Sequence, residues 1–247
     1  MRNIWTIAKR EYDHYFISPI AYAQAAGLLF MLGAAFAFIL ANANQYAAFG
    51  GPPPDISQLN GFFAFLLMLI TPALTMRLVA DETRSGTIEL MLTSPVSDFE
   101  LVTGKWLGGL LFVLTVIGIT LVYPIVLNFL VDPGIDQTVM LTSYLGLILI
   151  AAAFLALGTG ISALFSNQLA AFFVSFVVFL TLWWLVGLPA NLMTNGGEVL
   201  QYLLITNHYD TTFNVGSINL NDVVYFLSLI AVGLFTGTMA LESRRWR

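Results

Sequence analysis

Cysteine is absent from this 247-residue chain, and charged side chains make up only 9% of it. Without cysteine the chain has no disulfide, no iron–sulfur cluster and no thiolate-bound metal. Soluble domains carry about a quarter charged residues, so a chain this poor in charge is not a soluble domain. The composition is 58% hydrophobic, with a mean hydropathy of +0.85. These values indicate an integral membrane protein.

Motifs for catalysis and nucleotide binding are also missing. The sequence has no P-loop, no dinucleotide-binding fingerprint, no Ser/His/Asp set and no cluster of metal-ligating residues. Ionisable groups deep in a span usually mark ion-driven carriers or intramembrane enzymes. Here the only candidates are Arg77 and Lys105, both near a predicted span boundary, where snorkelling explains them more simply. We therefore predict no catalytic residue, metal or cofactor in this chain, and no nucleic-acid partner.

Six hydrophobic stretches are long enough to cross a bilayer, which takes about 20 helical residues. Proline is expected to kink the second near Pro72, and Pro124 lies inside the third. The fold class is thus an all-α membrane protein with six transmembrane helices in one domain, residues 1–247. The predicted spans cover about 20–41, 59–80, 103–131, 139–165, 169–189 and 221–241.

Two polar segments flank or separate these spans. Residues 1–19 combine aromatic and basic side chains at helical spacing, which predicts an interfacial helix ahead of the first span. Residues 190–221 predict a cap on the opposite side of the membrane. Within the cap, an apolar patch too short to span indicates a re-entrant or an interfacial helix: Val199, Leu200, Leu203 and Leu204.

The basic residues set the orientation. All nine fall in three segments that six spans place on one side, whereas the opposite loops carry only acids. The positive-inside rule therefore puts both termini in the cytoplasm and the chain in the cell (inner) membrane. The residues chosen as topology anchors are Lys9, Arg10, Arg84, Lys105, Arg244, Arg245 and Arg247.

The insert, residues 81–102, is the long polar segment between the second and third spans. It is predicted to extend the second span to Gly86, where glycine permits a sharp bend. Ile88, Met91 and Leu92 then share one face of a short helix that Pro95 ends. Ser97 and Glu100 have the spacing of a capping box, so the next helix is expected to start at Asp98. Periodicity alone leaves open whether the short helix docks a partner or is an ordinary interfacial linker.

The residues of the insert favour docking. Asp81 to Val96, with its run Gly86-Thr87-Ile88-Glu89, resembles the insert of ABC-2-type permeases, as do Ser97-Asp98 and Gly104-Lys105. The run Ser18-Pro19-Ile20-Ala21-Tyr22 is similar to the gliding-motility-type branch of that family. Further residues of that branch pattern lie near the last span: His208, Phe213, Gly216, Asp222, Val223, Tyr225 and Phe226.

The resemblance implies an elbow helix at residues 1–19, a cytoplasmic coupling helix after span two and a short extracellular helical region before span six. The coupling helix would dock in a groove of a separate ATPase subunit, and Glu82 would stabilise the bend. Met91 joins this surface through its place on the apolar face. The residues that the resemblance places at the contact are Gly86, Thr87, Ile88, Glu89 and Leu92.

The resemblance also implies the partners. These are two ATPase subunits that carry ATP and Mg²⁺, a second permease that makes a homodimer or a heterodimer, and membrane lipid. His208 is expected to belong to the cap. It is treated as a lone histidine without acidic or histidine partners nearby, so it is not predicted to bind metal.

The expected function is that of the transmembrane permease subunit of an ATP-binding-cassette export complex. Apolar walls with few fixed charges favour amphipathic or lipid-linked cargo over free ions. The alternative is a mechanical or scaffolding subunit whose ATPase partner acts on extracytoplasmic proteins without moving a substrate. That alternative adds an extracytoplasmic accessory protein to the partners. An intramembrane enzyme is disfavoured because the span interiors lack histidine and acids.

Overall fold

The structure, a computed structural model, describes residues 2–47, 49, 53–86, 96–190, 192–193 and 196–245. Every regular element in that part of the chain is helical, which confirms the all-α fold class. Six helical stretches there are long and apolar enough to cross a membrane, as predicted, and their ends differ from the prediction by a few residues. They are Pro19–Gln45, Ile56–Ser85, Asp98–Leu130, Gln137–Leu164, Gln168–Ala190 and Leu220–Arg244.

The helices are numbered in chain order. The first half contains α1 (Arg2–Ile17), α2 (Pro19–Ala47), α3 (Ile56–Thr75), α4 (Ala80–Ser85), α5 (Asp98–Thr120) and α6 (Val122–Leu130). The second half contains α7 (Gln137–Leu164), α8 (Gln168–Leu180), α9 (Gly187–Ala190), α10 (Gly197–Tyr202), α11 (Ile205–Asp210) and α12 (Leu220–Arg245). A π-helical turn, Thr181–Leu185, joins α8 to α9, and a 3₁₀ turn, Phe213–Val215, follows α11.

The second span is interrupted one turn after Pro72. Pro72 lies inside α3, and the chain stays helical as far as Thr75. The proline removes its own hydrogen bond to the carbonyl one turn earlier, and its ring crowds that carbonyl. The non-helical residues are 76–79, between α3 and α4. The kink near Pro72 stays a prediction, and the break itself lies one turn further along.

Helix α7 is the centre of the bundle. In its most apolar stretch 78% of the residues are buried, against 11% in the first span and 17% in the fifth. Glycines let other helices approach it closely. A Cβ added to Gly233 of α12 would lie 2.4 Å from the carbonyl carbon of Ala156, and one added to Gly158 would lie 2.3 Å from Oγ1 of Thr75. Neither position has room for a side chain, so α12 packs backbone to backbone on α7, and the Thr75 side chain of α3 lies directly on the α7 backbone at Gly158.

Helix α1 packs along the first half of α5. A Cβ on Gly104 would lie 2.7 Å from Cβ of Ile7, and one on Gly108 would lie 2.5 Å from Cβ of Glu11. The two glycines form a small-xxx-small pair, which lets the helices touch without intervening side chains. The predicted helix at residues 1–19 is thus present as α1 and is docked on the bundle. Its predicted place at the membrane interface stays a prediction.

The cap residues close one end of the bundle. Thr142 Oγ1 at the start of α7 donates to the Phe213 carbonyl (2.7 Å), and Asn214 Nδ2 donates to the Ser57 carbonyl (3.1 Å). At the other end of α7, Arg244 donates to the Ala163 carbonyl (3.0 Å). Thr142 and Ala163 are about 30 Å apart along the helix at 1.5 Å per residue. The end of α12 and the cap therefore lie at opposite ends of the bundle.

Candidate functional site

The insert is described at its two ends. On the upstream side the structure contains Glu82 and Gly86, and on the downstream side it contains Ser97 and Glu100. The other predicted contacts lie outside the described residues: Thr87, Ile88, Glu89, Met91 and Leu92. These five stay predictions. What the structure describes is how the chain leaves the bundle and how it returns.

A serine from the fourth span holds the break through which the chain leaves. Ser162 Oγ accepts hydrogen bonds from the backbone N–H groups of Val79 (3.2 Å) and Ala80 (3.1 Å). The same hydroxyl donates to the carbonyl of Met76 (3.3 Å). The break would otherwise leave backbone groups unsatisfied in a buried place, which is costly. One hydroxyl thus fixes the start of α4 against α7.

Helix α4 ends at the predicted bend. Its last residue is Ser85, and Gly86 follows with φ +73°, in the left-handed region that favours glycine. The Gly86 N–H closes the last turn on the Thr83 carbonyl (3.4 Å). The expected short extension of the second span and its glycine bend are both present.

The return into the bundle uses the predicted capping box. Ser97 Oγ accepts from the Glu100 N–H (3.2 Å), while Glu100 Oε2 accepts from the Ser97 N–H (3.2 Å). Glu100 Oε2 also accepts from the side-chain amide of Asn3 (3.2 Å). Helix α5 starts at Asp98, as predicted. The first turn of α1 is therefore bonded to the first turn of α5.

The ion cluster, made by Lys105, Glu82, Glu11 and Arg10, joins the two ends of the insert to α1. Lys105 Nζ lies 2.7 Å from Glu82 Oε1 and 3.0 Å from Glu11 Oε1. The lysine side chain is 1% exposed, and those of Glu11 and Glu82 are 11% and 18% exposed. Arg10, at the rim, lies 3.6 Å from Glu11 and 3.9 Å from Glu82. The cluster contains two positive and two negative charges.

The burial of Lys105 overturns one expectation from the sequence. Snorkelling would put its ammonium in water or among headgroups, but the side chain is enclosed and ion-paired. A buried ammonium is tolerated only with nearby counter-charges. Its partners lie 94 and 23 residues away in the chain, so no local sequence pattern identifies them. The sequence shows only that Glu82 and Lys105 lie near predicted span ends and that Glu11 lies in the predicted first helix.

Tyr15 adds an uncharged anchor beside the ion cluster. Its ring stacks on Phe112 of α5, with 4.8 Å between centroids, and its hydroxyl donates to the Leu74 carbonyl (3.3 Å). Burial, with a smaller contribution from the Glu11 carboxylate, raises the pKa of Tyr15 well above its usual range. The Tyr15 hydroxyl therefore stays protonated and donates its hydrogen bond to the Leu74 carbonyl. Helix α1 is thereby tied to α3 as well as to α5.

A cleft of about 620 Å³ opens beside the ion cluster, between α1 and the end of the second span. Its walls carry charges of both signs, including Arg77, whose guanidinium donates to Ser18 Oγ (3.1 Å). Asp81 on α4 accepts from the side chain of Gln168. The charged lining residues are Arg10, Glu11, Asp13, Arg77, Asp81, Glu82 and Lys105, and His14 also lines the cleft.

The contacts place the three basic segments at one end of the bundle. Arg10 and Lys105 meet in the ion cluster, and Ser162 of α7 binds the adjoining break. Arg244 binds Ala163, the next residue of α7. Lys9 and Arg84 are exposed at the same end. The side chain of Arg245 and all of Arg247 lie outside the described part of the chain. This shared end is what six spans and the basic residues predicted.

His208 is the centre of the cap. Its Nδ1 lies 2.6 Å from Asp222 Oδ1, and its Nε2 lies 2.7 Å from the Tyr202 carbonyl. The ring stacks on Tyr225 with 3.9 Å between centroids. The Tyr202 carbonyl can only accept, so the ring donates to it from Nε2. The view of His208 as a histidine without an acidic partner is therefore wrong, since α12 brings Asp222 to it.

The cap arrangement is structural in character. The Tyr225 hydroxyl donates to the Leu203 carbonyl (2.7 Å), so α12 binds the link between α10 and α11 as well as His208 of α11. Burial raises the pKa of Asp210 on the neighbouring helix α11. Among the residues that the structure describes, no group of three or more His, Asp or Glu side chains could hold a metal ion.

Comparison with known proteins agrees with this architecture. A family model described as "ABC-2 family transporter protein" matches residues 5–243. The chain is 29% identical over 178 residues to "Probable ABC transporter permease protein NosY" of Pseudomonas aeruginosa, an alignment that covers 69% of this chain and 63% of the relative. It is 30% identical over 119 residues to the protein of the same name from Stutzerimonas stutzeri, covering 47% of this chain and 42% of the relative. The chain thus spans less than two thirds of the length of either.

We expect Lys105→Met to destabilise the protein by about 3–5 kcal/mol, because it leaves two mostly buried carboxylates without their cation. The measurement is thermal unfolding of the purified protein in detergent. The matched variant is Lys105→Met combined with Glu11→Gln and Glu82→Gln, which removes the stranded charges and is expected to recover most of the loss. Equal melting temperatures of Lys105→Met and the wild type would contradict a stabilising role of the ion cluster.

His208→Phe is expected to lower stability by a similar amount, about 3–5 kcal/mol, because Asp222 then keeps a buried charge with no partner. Adding Asp222→Asn to this variant should restore part of the loss, while Asp222→Asn alone should also destabilise. Thermal unfolding with limited proteolysis of the cap reports the effect. If the loss of stability in the double variant equals the sum of the losses in the two single variants, the two side chains do not interact.

Proposed function

Because the chain belongs to the ABC-2 family of transporter proteins, we propose that it is the permease subunit of an ATP-driven export complex. A separate ATPase subunit docks on the coupling helix of the insert. The observation that carries the proposal is the ion cluster: Glu82 precedes the bend at Gly86, and Lys105 follows the return of the chain. This contact ties the second span to the third where the insert leaves and rejoins the bundle, so the two spans would respond together to a force on the insert.

The coupling contacts follow from the ends that the structure describes. Gly86 turns the chain away from α4, and the capping box at Ser97 starts α5. In the sequence between them, Ile88, Met91 and Leu92 have the spacing of one helix face. We assign the docking surface to Gly86, Thr87, Ile88, Glu89, Met91 and Leu92, and Glu82 holds the bend through Lys105. ATP and Mg²⁺ belong to the partner, because the sequence has no P-loop.

The orientation is part of the proposal. All three basic segments share one end of the bundle, and we place that end in the cytoplasm of a cell with an inner membrane. Both termini and the insert then face the ATPase, of which two copies serve two permeases. The cap around His208 faces the extracytoplasmic side.

A second permease subunit fits against the first and fifth spans. These are the least buried spans in the described chain, and both present large apolar side chains outward. Phe30 and Phe38 of α2 are 77% and 66% exposed, and Phe173 of α8 is 61% exposed. A copy of this chain or a related permease would cover part of that surface, with the export pathway between the two subunits.

One observation favours the mechanical alternative. Several buried hydroxyls in the spans bond carbonyls of their own helix: Thr71 donates to the Leu67 carbonyl (2.6 Å) and Thr159 to the Leu155 carbonyl (2.7 Å). Such groups serve packing and do not line a polar route. A subunit that transmits force to an extracytoplasmic accessory protein needs no such route.

Replacing Ile88 and Leu92 by aspartate should separate the chain from its ATPase. Each buried Ile or Leu contributes about 1.5–3 kcal/mol, so the double variant should weaken binding at least about tenfold. The measurement is the amount of ATPase that co-purifies with the tagged chain, together with ATP turnover. The control is Leu90→Asp, because helical spacing puts Leu90 on the opposite face. Equal losses from both variants would refute a docking face at these positions.

Vesicle transport separates export from mechanical work. The purified complex is reconstituted with fluorescent phospholipid and, separately, with a lipid-linked saccharide, and movement between leaflets is followed with ATP. Export predicts ATP-dependent movement of at least one amphipathic probe that stops with a non-hydrolysable ATP analogue. Continued ATP hydrolysis without movement of either probe would favour the mechanical subunit.

A further inference from the structure

A groove on the outer side of α1 and α5 is separate from the ion cluster. It has a volume of about 540 Å³ and is lined by Trp5, Lys9, Tyr12, Asp13, Leu111, Leu114 and Thr115. The α1 residues recur at the three- and four-residue spacing of one helix face, as do those of α5. The groove therefore runs between two helices, with charged residues from α1 and an apolar wall from α5.

The charged residues of the groove are unpaired. Lys9 and Asp13 stand four residues apart on α1, and both are exposed. Among the ion pairs within 4.0 Å in the described chain, neither residue takes part. An adjacent Lys–Asp pair on a helix commonly pairs with itself. Here the groove presents one free cation and one free anion side by side.

The groove also has an apolar side, and its residues have the composition of a membrane boundary. Leu111 and Leu114 lie in the third span, one to three turns beyond Lys105. Trp5 is 58% exposed at the groove, and tryptophan is enriched where hydrocarbon meets headgroups. A ligand that fills the groove therefore combines an apolar chain with a compact polar group.

We propose that this groove binds one phospholipid with an ethanolamine headgroup. The phosphate pairs with Lys9, the primary ammonium pairs with Asp13, and an acyl chain lies on Leu111 and Leu114. The Asp13 carboxylate would repel the phosphate of an anionic headgroup such as phosphatidylglycerol, whose hydroxyls can offer it only neutral hydrogen bonds. A choline headgroup has no N–H to donate to the carboxylate.

The aromatic residues argue against choline as well. A quaternary ammonium is typically held by several ring faces. Tyr12 is already engaged: its ring packs on Phe16 at 4.8 Å and its hydroxyl bonds Thr115 Oγ1 (3.2 Å). Trp5 alone leaves one open ring face. The carboxylate of Asp13 is then the main feature that recognises the amine.

The test uses the purified full-length chain, stripped of lipid in detergent and mixed with equal amounts of dioleoyl phosphatidylethanolamine, phosphatidylcholine and phosphatidylglycerol. Native mass spectrometry measures which lipid stays bound. We expect a preference for phosphatidylethanolamine of about three- to fivefold, the size of one exposed ion pair. Asp13→Asn should abolish the preference and Asp13→Glu should keep it. Lys9→Gln should weaken the binding of all three lipids alike.

Two controls locate the effect. Leu111→Trp narrows the apolar wall and should reduce phosphatidylethanolamine binding, whereas Glu242→Gln, an exposed acid on α12, should change nothing. A preference for phosphatidylglycerol or phosphatidylcholine in the wild type would overturn the proposal. So would an ethanolamine preference that survives Asp13→Asn, because the lipid would then be bound elsewhere.

Discussion

The buried ammonium of Lys105 is the constraint on which the rest of this end of the molecule depends. A charge enclosed to this degree is tolerable only when carboxylates replace the water that it has lost. Glu11 and Glu82 supply them from two helices that are far apart in the chain. Helices α1, α4 and α5 must therefore assemble together, since any one of them alone would leave an uncompensated charge in an apolar place.

The spans could be predicted from the sequence because the signals that define them are local. A run of apolar residues predicts a helix that crosses the membrane, and the capping box at Ser97 predicts where α5 begins. Gly86 likewise predicts a bend by its own freedom of φ. Each of these signals lies within a few residues of the structure that it produces. The interfacial position of α1 and the contacts at Ile88 and Leu92 stay predictions.

The features that sequence reasoning missed are made by residues far apart in the chain. The break in the second span depends on Ser162, 83 residues from Val79, and no local pattern identifies that partner. The sequence pattern places Lys105 at the interface because its two carboxylates come from other helices. His208 gains Asp222 only when α12 folds back beside α11. In each case a local pattern gave the wrong partner or none.

The single hydroxyl of Ser162 has a mechanical consequence. It satisfies three backbone groups at the one place where the second span is not a continuous helix. Rotation of α4 about that break would strip those groups of their partner, while movement of α4 together with α7 would keep them satisfied. Helix α7 is also the most enclosed of the spans. A displacement that begins at Gly86 would then move α4 and α7 together. The break would stay rigid and would not act as a hinge.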